Sequence, residues 1–516
     1  MPAVPQQRRS PVAPDAAASG ASSRSGADGR GAIIGRLVSQ LREALGDGAV
    51  LDGAAATRAY DCDGLTTHRT RPAVVVLAAD AGAVRTTLAA CTRHGVPFVA
   101  RGSGTGLSGG ATPVGDGVLV VLSRMRAIVE IDAANGRAVV EPGVINLDVT
   151  KAAAPHGLYF APDPSSQQVC SIGGNVAENS GGAHCLKYGF TTNHVTGVEL
   201  VLPDGQAVSL GGKAVEHLGY DLLGAVVGSE GTLGVVTQAT VRLLRVPETI
   251  RTVLAAFHSI DDAAATVSGV IAAGIVPAAI EFMDALAIEA VEAAVACGYP
   301  EGAAAVLLVE LDGPTSEVEH HFGLVRAICE QHHSFEVRVP RDAAERAALW
   351  KGRKSAFAAV GRLSPDYYVQ DGVIPRTALP SVLAAIAKLG EDAGLRVANV
   401  FHAGDGNLHP LVLFDAEMPG EAERAEQVAG AILQLCIDEG GSVTGEHGVG
   451  LDKKAYLGKM FDEDDLGAMH RLRCAFDPAG LSNPGKVFPT PRLCGEAPGP
   501  RHGVHPLVAS GEAELF

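Results

Sequence analysis

The sequence predicts an α+β fold spread over more than one domain. Three observations point there. A strand–helix–strand unit opens the patterned region, short strands joined by hairpin turns follow it, and beyond Pro247 strands and helices alternate in a split order. At about 150 residues per domain, 516 residues suggest two to four domains.

The elements can be justified in order. Residues 1–30 are rich in Pro, Ala, Ser, Gly and Arg without apolar periodicity, and residues 491–516 are punctuated by Gly and Pro, so both read as loose tails. Ile33, Leu37, Val38 and Leu41 mark a short helix, and residues 73–78 form an apolar strand after Pro72. Val84, Leu88 and Cys91 fall at helical spacing, Gly95 is a stop, and 96–100 is the next strand. Strands follow at 119–122, 127–131 and 138–141, the last two joined by Asn135-Gly136. Residues 195–202 and 207–210 flank Pro203-Asp204-Gly205 in the same way. A strand over 235–246 ends at Pro247, where we place a boundary between domains 31–247 and 248–490. Strands 252–257, 277–282, 305–311 and 335–339, with helices between them, then resemble a split strand–helix–strand sheet.

Composition narrows the function. With 47% hydrophobic and 19% charged residues the chain can bury real cores, and its net charge of −17 argues against a broad grip on nucleic acid or anionic lipid. No apolar run approaches the roughly 18 residues of a membrane span. Arg8-Arg9 is not followed by an apolar segment, so export is not expected and a cytoplasmic protein, at most peripheral to a membrane, is. The nine cysteines include no Cys-x-x-Cys pair, which suggests neither a disulfide framework nor an iron–sulfur site.

Glycine clusters in three segments: 101–111, 171–183 and 228–234. The first follows a strand and lets successive backbone N–H groups turn toward one anion, as a diphosphate needs. Gly104, Gly106 and Gly109 satisfy G-x-G-x-x-G, but Thr112-Pro113 and a strand follow where a dinucleotide-binding helix should, and no Lys-Ser/Thr closes a P-loop. Each segment alone can be an ordinary turn; three together suit a long ligand with phosphate and planar parts.

In the second half, Asp405-Gly406 predicts a two-residue hairpin turn that sets His402 directly opposite His409. Such a pair is either a hydrogen-bonded sheet contact or a metal chelate, with Glu446 and His447 of Thr444-Gly-Glu-His-Gly448 able to approach the same centre. Arg353, in a helical context at 350–357, offers a planar donor for a carboxylate.

Residues 97–111, 162–166, 170–188 and 220–236 together resemble the FAD-binding domain of the vanillyl-alcohol oxidase and p-cresol methylhydroxylase superfamily. The His-x6-His hairpin followed by Gly-Glu-His-Gly resembles the C-terminal domain of FAD-linked 2-hydroxyacid oxidoreductases. The resemblance covers about residues 33–490 and implies a two-subdomain, PCMH-type FAD-binding domain followed by a ferredoxin-like α+β substrate domain with C-terminal helices. It implies FAD on Arg101, Gly102, Ser103, Gly104, Thr105, Gly106, Leu107, Ser108 and Gly109, with Pro162 and Asp163 nearby. Ser171, Gly173, Gly174, Asn175, Asn179, Gly181, Gly182, Tyr188, Glu230, Gly231, Gly234 and Val236 complete the cradle, with Asn483 returning from the closing segment. Some relatives tether flavin through a His in the first loop; Ser103, Thr105 and Ser108 stand there, so non-covalent FAD is expected.

By the same resemblance His402, His409 and Glu446 are ligands of a divalent metal, zinc, manganese or iron(II), while His447 is the catalytic base and Arg353 holds the substrate carboxylate. Residues 349–376 look most like the glycolate oxidase FAD subunit. Hydroxyglutarate dehydrogenases carry Lys and Asn where this chain has Val369 and Leu411, so glycolate or D-lactate is expected over a dicarboxylate. Such subunits work with a second flavin subunit and an iron–sulfur subunit; a stand-alone dehydrogenase serving a quinone or cytochrome is the alternative. A flavin-free metallohydrolase and a silent FAD-binding subunit are the readings from other classes.

Overall fold

The computed structural model describes residues 22–214 and 219–489. The expected tails therefore lie largely outside the described residues. The first helix, Ser22–Leu45, extends well N-terminal of the apolar stripe that marks it, because Leu37, Val38 and Leu41 are only the part that packs into a core.

Two larger sheets, with a two-stranded pairing of Leu158–Tyr159 and Leu244–Arg245 beside them, make the first half. Val74–Leu77, Val118–Val121 and Phe98–Arg101 pair in parallel, with Val50–Asp52 antiparallel on the edge. The connecting helix Ala81–His94 starts where the Asp80 side chain accepts from Ala83 N–H and stops at Gly95, at φ 61°, so the expected stop sits in the left-handed conformation that favours glycine. The second sheet is antiparallel, in the order 128–132, 137–140, 235–242, 195–201, 207–211. Its apolar face packs around Val140, Leu200, Ala239 and Val241.

The second half is one large antiparallel sheet. Thr249–Phe257 pairs along its whole length with Ala305–Gly313, which pairs in turn with Ala279–Asp284, and that strand with Arg396–His402. Helices Ile260–Ala272, Thr315–Gln331 and Leu379–Ala393 contribute to the core on one face, and Ala285–Val295 with Ala343–Val360 to the core on the other. Strands are continuous apolar runs here because both faces are covered. The chain passes from the first half through Val246 and Pro247 into the strand that begins at Thr249.

Charged contacts tie the halves together. His184 lies 3.0 Å from Asp163 and 3.3 Å from Glu310, Lys187 pairs with Asp312 at 2.5 Å, and Tyr188 donates to Asp312 at 2.6 Å. The closing segment crosses back as well: Asn483 Nδ2 donates to Gly110 O and Glu230 O, and Lys486 Nζ to Thr112 O.

Candidate active site

A cavity of about 700 Å3 opens between the halves. Gly102, Ser103, Gly104, Thr105, Gly106 and Leu107 line it from the first loop; Ser171, Gly173, Gly174 and Asn175 from the second; and Glu230, Gly231, Gly234 and Val236 from the third. Glycine is required here by close approach: a Cβ on Gly102 would stand 2.1 Å from Ser171 Oγ. At Gly106 nothing lies within 3.9 Å of such an atom, so a side chain there would enter the cavity. The wall from the second half carries Lys354, Phe357, Tyr368, Val369, Glu446 and His447.

The other residues expected to hold the ligand do not line this cavity; they brace it. Arg101 donates to Cys62 O at 2.5 Å, and Ser108 O accepts from Leu451 and Asp452 N–H, with Gly109 packed on Leu451. Pro162 O accepts from Asn146, Asp163 pairs with His184, Asn179 caps its helix at φ 52°, and Gly181 and Gly182 pack on Phe190 and Asp163. Tyr188 and Asn483 make the cross-links described above. The loop at 64–67 and Glu178 line the cavity without having been expected there. Glu178 is half-buried beside Glu230, and desolvation together with that neighbour pushes its carboxyl well up. Glu230 accepts instead from Val449 and Gly450 N–H at 2.6 and 2.7 Å.

The histidine hairpin differs from expectation by two residues. His402 pairs with Asn407, not with His409, and Ala403–Gly406 form a four-residue loop. A two-residue turn would need Gly404 and Asn407 to pair with each other. The loop's backbone is claimed elsewhere: Gly404 N–H donates to Ile280 O, Gly404 O accepts from Arg376 and Gly406 O accepts from Ile374 N–H. Because side chains alternate with period two, a shift of two keeps His402 and His409 on one face. Their rings meet edge to face at 5.2 Å.

Glu446 completes a cluster. Its Oε1 lies 3.3 Å from both His402 Nε2 and His409 Nε2, all within 4.8 Å of one another. Glu446 Oε2 is buried without a hydrogen-bond partner, as a ligand atom for a cation would be, and His409 Nε2 faces Glu446 at 3.3 Å and Asp371 at 3.4 Å. Behind them Glu281 takes His402 Nδ1 at 2.8 Å, which turns the Nε2 lone pair inward. Arg353 Nη2 lies 2.5 Å from Glu281 Oε2, while its Nε is buried with no acceptor. Arg353 therefore stands behind the cavity wall, whereas its neighbour Lys354 lines the cavity and lies 3.5 Å from Asp163.

The loop bearing Glu446 and His447 is organised by a residue that sequence reasoning missed. Asp371 accepts from Thr444 Oγ1 at 2.6 Å, from Gly445 N–H at 3.1 Å and from His447 N–H at 2.9 Å, with Lys453 Nζ at 3.2 Å. Burial opposes its charge, yet Lys453 and the neighbouring imidazoles hold it well below the usual carboxylate range. His447 stacks on His409 with ring centroids 5.0 Å apart. Burial lowers its pKa to about 4, so at neutral pH the imidazole is uncharged.

Comparison with known proteins decides the family. Residues 72–211 match a model described as "FAD binding domain", and residues 246–487 match "FAD linked oxidases, C-terminal domain". The chain belongs to the FAD-linked oxidases. It is 51% identical over 457 residues to glycolate oxidase subunit GlcD of Escherichia coli, covering 89% of this chain and 91% of the relative. Identity to glycolate oxidase subunit GlcD of Bacillus subtilis is 41% over 85% of this chain and 93% of that one, and to D-lactate dehydrogenase of Anaerostipes hadrus 30% over 81% and 90%. The fold of this oxidase is shared with 4-ethylphenol oxidase from Gulosibacter chungangensis, at TM-score 0.75 and 20% identity over 89% of this chain and 98% of that one. p-Cresol methylhydroxylase superposes at TM-score 0.74 and 16% identity, over 88% and 97%. The chain is an FAD-dependent oxidoreductase of PCMH-type fold, and among its described residues no helix is long and apolar enough to cross a membrane.

Proposed function

We propose that the chain oxidises a small 2-hydroxy monocarboxylate, glycolate or D-lactate, to the 2-oxo acid. The observation that carries the choice of a monocarboxylate is the pairing of Val369 directly opposite Leu411. Val369 lines the cavity, and this apolar pair offers nothing to a second carboxylate. Relatives named glycolate oxidase subunit and D-lactate dehydrogenase support the same class.

The glycine-lined cavity fits non-covalent FAD, and His402, His409 and Glu446 fit a divalent metal such as zinc, manganese or iron(II). When bound, the flavin supplies a hydride acceptor and the metal a Lewis acid for the hydroxyl oxygen. His447, whose Nε2 lies 4.0 Å from Glu446 Oε1, takes the hydroxyl proton; its low pKa keeps it free to do so. The ammonium of Lys354, on the cavity wall, serves the substrate carboxylate, and Arg353, expected in that role, acts from behind the wall by holding Glu281. Electrons leave to a partner, a second flavin subunit with an iron–sulfur subunit, or to a quinone or cytochrome, from a chain working in the cytoplasm or at the inner membrane face.

A flavin-free hydrolase does not agree with the family. Anaerobic mixing with glycolate, each lactate enantiomer and D-2-hydroxyglutarate tests the substrate reading through the flavin spectrum. Bleaching by glycolate or D-lactate is expected; bleaching by D-2-hydroxyglutarate and by neither smaller acid overturns it.

A further inference from the structure

A second cavity, of about 540 Å3, lies at the far end of the five-stranded sheet. Val236, near one end of the strand Val235–Arg242, lines the flavin cavity, and Arg242 is six positions on, roughly 20 Å away at about 3.3 Å per residue. Among the described residues its walls carry Arg137, Arg242 and Arg245 and no carboxylate.

The arrangement is electrostatically unbalanced. Arg137 and Arg242 are direct partners in the antiparallel ladder, which sets two like charges opposite each other on one sheet face. Asp132, the partner of Arg137 on its other side, is taken by Lys213 at 2.9 Å and by Asn135 at 2.9 Å. Glu130 is taken by Lys213 as well, at 2.6 Å. Arg137 is 7% exposed and, among the described residues, is anchored to the carbonyl oxygens of Lys213, Asn135 and Gly136, which fix its orientation without neutralising it. Arg242 and Arg245 are exposed at the rim. Among the described residues, no ion pair reaches any of the three arginines, in a chain of net charge −17.

We propose that this cavity binds an oxyanion of the phosphate or carboxylate class, gripped by Arg242 and Arg245 over the fixed guanidinium of Arg137. Guanidinium forks match such oxygens in pairs, and an anion placed between Arg137 and Arg242 converts their repulsion into two attractions. The volume accommodates a small polyanion or a headgroup rather than a single ion. The site is independent of the substrate reading above, since it shares no wall with the flavin cavity.

The test is calorimetric titration of the flavin-loaded protein with inorganic pyrophosphate and with citrate at constant ionic strength, beside co-sedimentation with phosphatidylglycerol vesicles. Saturable binding at one site per chain is expected, weakened about tenfold or more in the double variant Arg242→Gln/Arg245→Gln with flavin content unchanged. Binding of the solutes without vesicle capture identifies a free oxyanion, and capture that pyrophosphate reverses identifies a headgroup; either supports the site. Equal binding by the double variant, or no binding at millimolar probe, overturns it.

Discussion

His402 stands diagonally across the hairpin from His409, ring edge to ring face at 5.2 Å, and both reach the same oxygen of Glu446. Two imidazoles and a carboxylate thus bring three ligand atoms within 4.8 Å of one another, and the Glu281 carboxylate fixes which nitrogen His402 presents.

Glu281→Gln should lower metal affinity by about 10–100-fold while the three ligands stay in place. Metal content after dialysis against a graded chelator series checks this. Retention equal to wild type would show that Glu281 only packs against Arg353.

His447→Ala should slow flavin bleaching by hydroxy acid by about 10²–10⁴-fold. Flavin content should be unchanged, because His447 stands on the wall supplied by the second half, away from the glycine loops. Rapid mixing at saturating substrate separates this from weakened binding, which would raise the substrate concentration needed and leave the limiting rate intact.

Asp371→Ala should destabilise the protein by about 3–5 kcal/mol, since it strands the Lys453 ammonium in a buried site. The N–H groups of Gly445 and His447 lose their acceptor in the same step. A urea midpoint shifted by less than half of this would mean that water replaces the carboxylate.

The link between the halves is pH-sensitive through His184. Burial works against its charge, but Asp163 and Glu310 outweigh it and hold the pKa up at about 10, against an ordinary value of 6.5. The folded state thus keeps a proton that the unfolded chain releases between these values. The stabilisation is complete below about pH 6.5 and is lost as pH rises through about 10. Melting temperature should fall across that window, and His184→Gln should flatten the slope; an unchanged slope would assign it to other groups.

Much of the fold was legible because local signals agree with the global one. Gly95 marks a helix stop that the structure places at the same residue, and the strand Ala305–Gly313 differs from its apolar run by only two residues at its end. The hairpin register was misread because the turn chemistry of Asp405-Gly406 competes with Ile280, Ile374 and Arg376, which are distant in sequence. Asp371, Lys453, Glu281 and Glu178 left no readable trace. Their roles come from tertiary pairing between separate elements, and a solitary acid or lysine in sequence looks like a solvated one.

The closing segment has a consequence for biogenesis. Asn483 reaches Gly110 across 373 positions and Glu230 across 253, and Ser482 bridges to Phe98 in parallel. The first-loop cradle cannot acquire this latch until residue 483 has left the ribosome, so secure capture of the prosthetic group waits for the second half, and a chain truncated before residue 480 should hold it less tightly.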